Sequence, residues 1–342
     1  MKSGLLAACA VALGLFAPGA AAAQDLGPNF TKLADGIYVY LGEARNEFDT
    51  EHDSNAGIII SNDGVLLVDT GNRAQDARNI QAALKKLTTQ PVKYIVLTEP
   101  HPDHQIGSYL FSPPAVVITH GPDPVSGIKS MEADAERLKG FVEQARRTNP
   151  PERDALEGYR HIPAQREFNG HKETLQLGER TIELIYHPNV HSEADIAVWL
   201  PKERVLFSGA AALVEQFNVF RPFVTIPDIL AAIKELRALK PELVIPSHGA
   251  SGVPATTRIF DESERYYNLL LERVGQMVKD GKSLEQIQKE LKIPEFSHWG
   301  SKSRLPPGIE AAYKVVKGIK QPPFKVGHPC SYNAPPCTTE YK

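Results

Sequence analysis

The stretch Thr98-Glu99-Pro100-His101-Pro102-Asp103-His104-Gln105 sets two carboxylates and two imidazoles within six positions. Carboxylate oxygen and imidazole nitrogen are the donors that hold divalent ions of the zinc type, and an ion held that way can activate water for hydrolysis. Proline follows both Glu99 and His101, and a residue before proline is driven out of the helical region, so both are expected to be extended. In extended chain alternate side chains share a face. Glu99, His101 and Asp103 can therefore point one way, while His104 swings in from the start of the next turn. The competing reading of this stretch alone is a polar loop with two solvated histidines.

Such donors need rigid elements behind them. Residues 92–97 form a β-branched apolar run that reads as a buried strand, which places the donors where strand hands over to loop. Two more histidines stand near strand ends. His191 opens His191-Ser192-Glu193-Ala194-Asp195 after a strand ending at Tyr186, and His248 follows the apolar residues 243–245. Asp69, in Asp69-Thr70-Gly71, either orients a ligand through a hydrogen bond or caps its own loop.

The remaining pattern supplies the framework. A strand is expected at 36–41, a polar acidic loop at 43–55, and a hairpin of 56–61 with 65–68 around Asn62-Asp63-Gly64. Residues 74–87 carry Ala77, Ile80, Ala83, Leu84 and Leu87 at helical spacing. A strand at 115–119 and a helix at 127–147 follow, the helix broken by Pro150-Pro151, with a surface connection from there to Lys172. Strands at 174–177, 181–186, 196–200 and 205–208, a helix at 228–238 and a strand at 243–245 then echo the first half. Two similar halves predict a sandwich of two sheets with helices outside. Helices at 256–279, 284–291 and 308–317 close the chain.

Taken in order, these motifs resemble the metallo-β-lactamase-fold hydrolases over residues 30–320. Val68-Asp69-Thr70-Gly71 resembles the family's first motif, Glu99 to His104 its H-x-H-x-D-H motif, His191-Ser192 its third, Phe207-Ser208-Gly209-Ala210 its fourth and His248 its last. The resemblance implies an α/β fold, a four-layer αββα sandwich of two mixed sheets. It also implies a hydrolase of a small organic substrate (lactone, β-lactam, ester or thioester) that uses a metal-bound hydroxide, with one or two Zn2+ ions, Fe or Mn being the other candidates. Carried over by position, Glu99, His101 and His191 hold the first metal, and Asp103, His104 and His248 the second. Asp103 and Asp69 are the expected catalytic carboxylates. Two departures stand out: the family usually has histidine where this chain has Glu99, and commonly a bridging aspartate where it has Ala210. One negative charge is lost and one gained, so on this reading Glu99→Ala weakens the first metal position far more than the second. The alternative is a binding or accessory protein of an exported pathway that keeps the fold with a partial or inactive metal site.

Composition narrows the partners. A net charge of −3 and a pI near 6.4 leave no basic footprint for nucleic acid, so the expected partner is a small molecule. Lys2, the apolar run from Leu5 to Phe16 and Ala21-Ala22-Ala23 match a cleaved secretory signal over 1–23, too short in its apolar part for stable membrane insertion. That predicts a periplasmic or secreted protein, with one domain over 24–320 and a Pro-rich tail over 321–342. In an oxidising compartment Cys330 and Cys337 of that tail are expected to pair. Residues 213–224 hold Phe217, Phe220 and Phe223, which either wall a pocket or pack over the sheet, and Arg221, which could receive an acidic group. Trp299 could line the entrance or support the last helices. His120 and His187 are read as structural before functional; His52, His161, His171, His298 and His328 as solvated or hydrogen-bonded.

Overall fold

Strands that are apolar on both faces must be covered on both sides. The computed structural model, which describes residues 25–42, 54–121, 127–249 and 253–324, shows how the chain does this. The expected signal segment, most of the acidic loop after residue 42, His52, His328 and both tail cysteines lie outside the described residues. Elements of the first half are β1 (Phe30–Ala34), β2 (Ile37–Tyr40), β3 (Ala56–Ser61), β4 (Gly64–Val68), α1 (Ala74–Leu87), β5 (Val92–Val96), the short α2 (Pro102–Gln105), β6 (Val116–His120), α3 (Gly127–Thr148), α4 (Pro150–Ala155) and β7 (Arg166–Phe168). The second half has β8 (Lys172–Leu177), β9 (Arg180–His187), β10 (Asp195–Leu200), β11 (Val205–Gly209), α5 (Ile226–Ala238), β12 (Leu243–Pro246), α6 (Arg258–Lys279), α7 (Leu284–Glu290) and α8 (Leu305–Lys317).

The first sheet runs in sequence order from β1 to β7, antiparallel to β4 and parallel beyond it. The second runs β12-β11-β10-β9-β8, with only β11 and β12 parallel. Alternation within each strand assigns the layers. Leu66 and Val68 of β4, Val96 of β5 and Ile118 of β6 face Ile196, Val198, Phe207 and Ile245 of the other sheet. Their neighbours Val65, Leu67, Ile95 and Val117 pack outward on Ala77, Ile80 and Leu84 of α1. On the far side Ala197, Leu206 and Val244 meet α5, α6 and α8. The two mixed sheets with flanking helices are those expected from the sequence. Among the described residues no helix is long and apolar enough to cross a membrane.

Three elements depart from the sequence reading. The surface connection before Lys172 contains α4 and β7, and β1 precedes the expected first strand. Pro150-Pro151 ends α3 yet begins α4, because proline suits the first helical turn and the Asn149 side chain accepts from the Glu152 N–H at 3.2 Å. Glu152 in turn accepts from the N–H groups of Ala74 and Gln75 at 2.6 and 3.2 Å, so α4 caps α1. β1 and β7 lie at the two edges of their sheet and are half-exposed, which blurs the alternation that marks a buried strand.

Phe217, Phe220 and Phe223 are buried in the outer apolar layer with α5 and α6, so of the two readings of that segment the structure takes packing. Trp299 is fully buried there too, its ring centroid 4.6 Å from that of Phe296, 5.2 Å from Tyr266 and 5.6 Å from Phe217. It supports the last helices. Trp299→Ala is expected to cost about 3–5 kcal/mol of unfolding free energy, measured by denaturant titration, as for other large-to-small core changes.

Candidate metal centre

β4 and β5 are parallel neighbours, so their chain ends open on the same edge of the sheet. Asp69, just past β4, has a left-handed backbone (φ 58°) that turns its carboxylate towards the end of β5. There it accepts from the Thr98 N–H and the Thr98 hydroxyl, both at 2.7 Å, and lies 3.0 Å from His104 Nδ1. Of the two readings of Asp69, the geometry favours the contact with a histidine, and its other bonds go to Thr98 at the end of β5 and not to its own loop. With Nδ1 held by Asp69, His104 turns Nε2 to the interior. Thr70 completes the clamp by donating from its N–H and its hydroxyl to the His104 carbonyl at 2.9 and 2.8 Å.

Glu99 is the most enclosed of the candidate ligands after His104. Its Oε2 contacts His101 Nδ1 in a short hydrogen bond and lies 3.0 Å from His191 Nε2, while its Oε1 lies 3.2 Å from His104 Nε2. His101 is extended, as its following proline predicts. Asp103 is already helical; its carboxylate sits at the rim, 3.5 Å from His104 Nε2 and 3.4 Å from His248 Nε2. His104 Nε2 and His248 Nε2 are 3.3 Å apart. Donor atoms thus gather as Glu99, His101 and His191 on one side and Glu99, His104 and His248 on the other. All six predicted residues meet, and Asp103, His104 and His248 lie 3.3 to 3.5 Å from one another as the sequence reading grouped them; what that reading did not give is the approach of Glu99 to His104 as well as to His101 and His191.

Two loops of the second sheet bring in the remaining histidines. His191 lies between β9 and β10 on a turn tied by Asp195, whose carboxylate accepts from the His191 N–H at 2.7 Å and the Ser192 N–H at 2.9 Å. His191 Nδ1 meets Asn218 Oδ1 at 3.2 Å, leaving Nε2 towards Glu99. Arg221 is buried against the same residue, donating to its carbonyl at 2.7 Å and lying 3.2 Å from its Nε2. His248 follows β12, and its loop is held by Asn55, whose side-chain N–H groups donate to Pro246 and Gly249 carbonyls at 2.9 and 2.8 Å. The Ser54 hydroxyl donates to the Asp103 carbonyl in a short hydrogen bond. Ser54, Asn55 and Asn218 escaped the sequence reading, as nothing local marks a polar residue whose partners lie far along the chain. Asp195, four residues after a candidate ligand, carried a signal that could have been used.

Electrostatics divide the imidazoles. Burial, reinforced by the Arg221 guanidinium, pushes His101 down to about 3, and burial also lowers His191. Both are neutral, the form that binds a metal ion. Burial acts against a charge on His104 as well, but Glu99, Asp103 and Asp69 outweigh it and raise that ring well above its ordinary value. The Glu99 carboxyl, which burial alone would raise, is held well below the carboxylate range by His191, His104 and His101. The carboxylates thus favour positive charge around His104, while Arg221 opposes it around His101 and His191. Buried Glu99 Oε1 makes no hydrogen bond among the described residues, though it lies 3.2 Å from His104 Nε2. A carboxylate oxygen enclosed among imidazole nitrogens fits a divalent ion.

The other histidines are held elsewhere. His120 stacks on Tyr186 at 3.5 Å and its Nε2 meets the Gly170 carbonyl at 2.9 Å; His187 lies 3.6 Å from Glu235.

The sequence profile described as the metallo-beta-lactamase superfamily matches residues 49–248, which span this whole constellation. The chain belongs to the metallo-beta-lactamase superfamily. Beta-lactamase-like protein 2 homolog of Caenorhabditis elegans is 23% identical over 260 residues, covering 75% of this chain and 74% of that protein. A metallo-beta-lactamase family protein from Thermus thermophilus superposes with a TM-score of 0.58 at 21% identity, over 84% of this chain and 95% of that one. The sec-alkylsulfatase Pisa1 from Pseudomonas sp. gives 0.62 at 17% identity, over 84% of this chain but 50% of that one. These two structures share the superfamily's fold with this chain.

Because Asp69 satisfies three donors from a buried position, Asp69→Ala should lower unfolding free energy by about 3 kcal/mol in chemical denaturation. In the same variant, zinc affinity measured by titration should fall about 10–100-fold, as when other partners of metal-bound histidines are removed.

Proposed function

We propose that the protein is an exported, zinc-dependent hydrolase of a small organic substrate such as a lactone, β-lactam, ester or thioester. Membership of a hydrolase superfamily supports the reaction class. The observation that carries the metal reading is the meeting of four imidazoles at one buried carboxylate, whose Oε1 makes no hydrogen bond among the described residues. When bound, the ions supply an activated water and a Lewis acid for the bond that breaks. The chain's own groups do the rest. Asp69 fixes the tautomer of His104, and Asn218 and Asp195 fix His191. Asp103, ionised and partly open to solvent, is placed to orient the attacking water by accepting its hydrogen bond. Arg221 is engaged with His191, so its first role is to position that ring rather than to receive an acidic substrate group.

Elemental analysis of protein purified without added metal should find zinc in stoichiometric amount. Dialysis against a chelator should abolish hydrolysis across a panel of lactones, β-lactams, esters and thioesters, and added zinc should restore it. Protein without bound metal and without turnover would instead point to a binding or accessory role.

Export is supported by the basic start, the apolar run and the three alanines before Gln24. Mass spectrometry of the protein recovered from the periplasm or medium should give a chain beginning at Gln24; a cytoplasmic chain retaining Met1 would refute export.

A further inference from the structure

We propose that Glu99 bridges two metal positions, one oxygen to each, and is not a terminal ligand of the first position alone. This rests on the metal reading above and goes beyond it. The two oxygens of Glu99 face different partners: Oε2 is with His101 and His191, Oε1 with His104. The imidazoles likewise form two pairs, His101 with His191 at 5.3 Å between ring centroids and His104 with His248 at 5.1 Å. Glu99 is the one residue common to both donor groups found among the described residues.

Electrostatics point the same way. Paired divalent ions sit about 3.5–4 Å apart in two-metal sites, and a carboxylate between them offsets part of their mutual repulsion. The side chain at position 210 is a methyl group, which supplies none. Asp103 lies at the rim, 3.5 Å from His104 Nε2 and 3.4 Å from His248 Nε2, so it serves that side alone. Asp69 is turned to Thr98 and to the far nitrogen of His104. That leaves Glu99 as the carboxylate positioned between the pairs. It therefore carries both the first-position ligand and the shared charge, and this reading replaces the expectation drawn from the sequence that its loss spares the second position.

The test is calorimetric titration of metal-free protein with Zn2+. The wild type should take two ions. His191→Ala should keep one, at the His104 and His248 side, and His248→Ala should keep one at the His101 and His191 side. Adding Glu99→Gln to either variant should weaken the remaining ion about tenfold or more, since even outer partners of metal ligands are worth that much. An ion in His191→Ala whose affinity is unchanged by Glu99→Gln overturns the bridge and leaves the metal reading intact. A wild type that takes a single ion also overturns it, and one that takes none overturns the metal reading as well. Thermal unfolding in chelator checks that each variant is folded. Should Glu99→Gln fail that check, Glu99→Asp, whose shorter side chain cannot span both pairs, is read by the same criteria.

Discussion

Buried carboxylates govern this structure. Asp69, Glu99 and Asp195 are almost wholly removed from water, and a carboxyl group in that position is unfavourable unless partners surround it; burial and the nearby Glu99 push Asp195 up to about 8. Each is surrounded, and in each case the donors come from a segment that would otherwise be a free loop. Asp69 gathers Thr98 and His104, Asp195 gathers the backbone of His191 and Ser192, and Glu99 gathers imidazoles from both sheets. The need to satisfy these buried groups fixes the loop conformations, and the loop conformations fix the ligand-type atoms. Glu99 Oε1, which makes no hydrogen bond among the described residues, is the oxygen that faces His104.

The sandwich makes such a centre possible because the ends of strands from both sheets converge on one edge. A backbone hydrogen bond from Ile196 in β10 to Thr98 after β5, at 2.8 Å, joins the sheets directly at the site. Ser247 donates to Gly209 at 3.0 Å and Asn55 to Ser247 at 2.7 Å, which threads the end of β11, the loop after β12 and the start of β3 together. Gly209 has a left-handed backbone, and a Cβ there would stand 2.8 Å from the Ile196 carbonyl oxygen. Only glycine lets β11 approach β10 so closely where the chain leaves the sheet. The apolar layer between the sheets thus sets the distance across which the polar edge is stitched.

Periodicity carried most of the fold. The bounds of α1 are those read from its apolar spacing, and the strands buried on both faces were visible as β-branched runs. Edge strands β1 and β7 were not, because a half-exposed strand obeys neither the alternating nor the continuous pattern cleanly. The residue types of the six candidate ligands were likewise visible, since donor chemistry is local. Their partition was not: which Glu99 oxygen faces which ring depends on side-chain torsions set by contacts across the two sheets. Asn55 shows the same limit, as its side chain holds a carbonyl 191 residues away. The phenylalanines near Arg221 mark a third limit, because an apolar run reads alike whether it walls a cavity or seals a core.

Exchanging histidine for glutamate at position 99 is therefore more than a change of ligand. An imidazole whose Nδ1 is hydrogen-bonded offers one lone pair in one direction, whereas a carboxylate offers two oxygens on a rigid plane and a full negative charge. Seated between two imidazole pairs, that plane can address both at once, and the oxygen that would otherwise come from position 210 is no longer required. Enclosing this charge has a structural consequence: His191, His104 and His101 hold the Glu99 carboxyl down, and the carboxylates around His104 outweigh its burial and raise that ring, while burial and the Arg221 guanidinium lower His101 and His191. The two sides of Glu99 are therefore unequal: one pair of rings stands beside the Arg221 guanidinium, the other beside the Asp103 carboxylate.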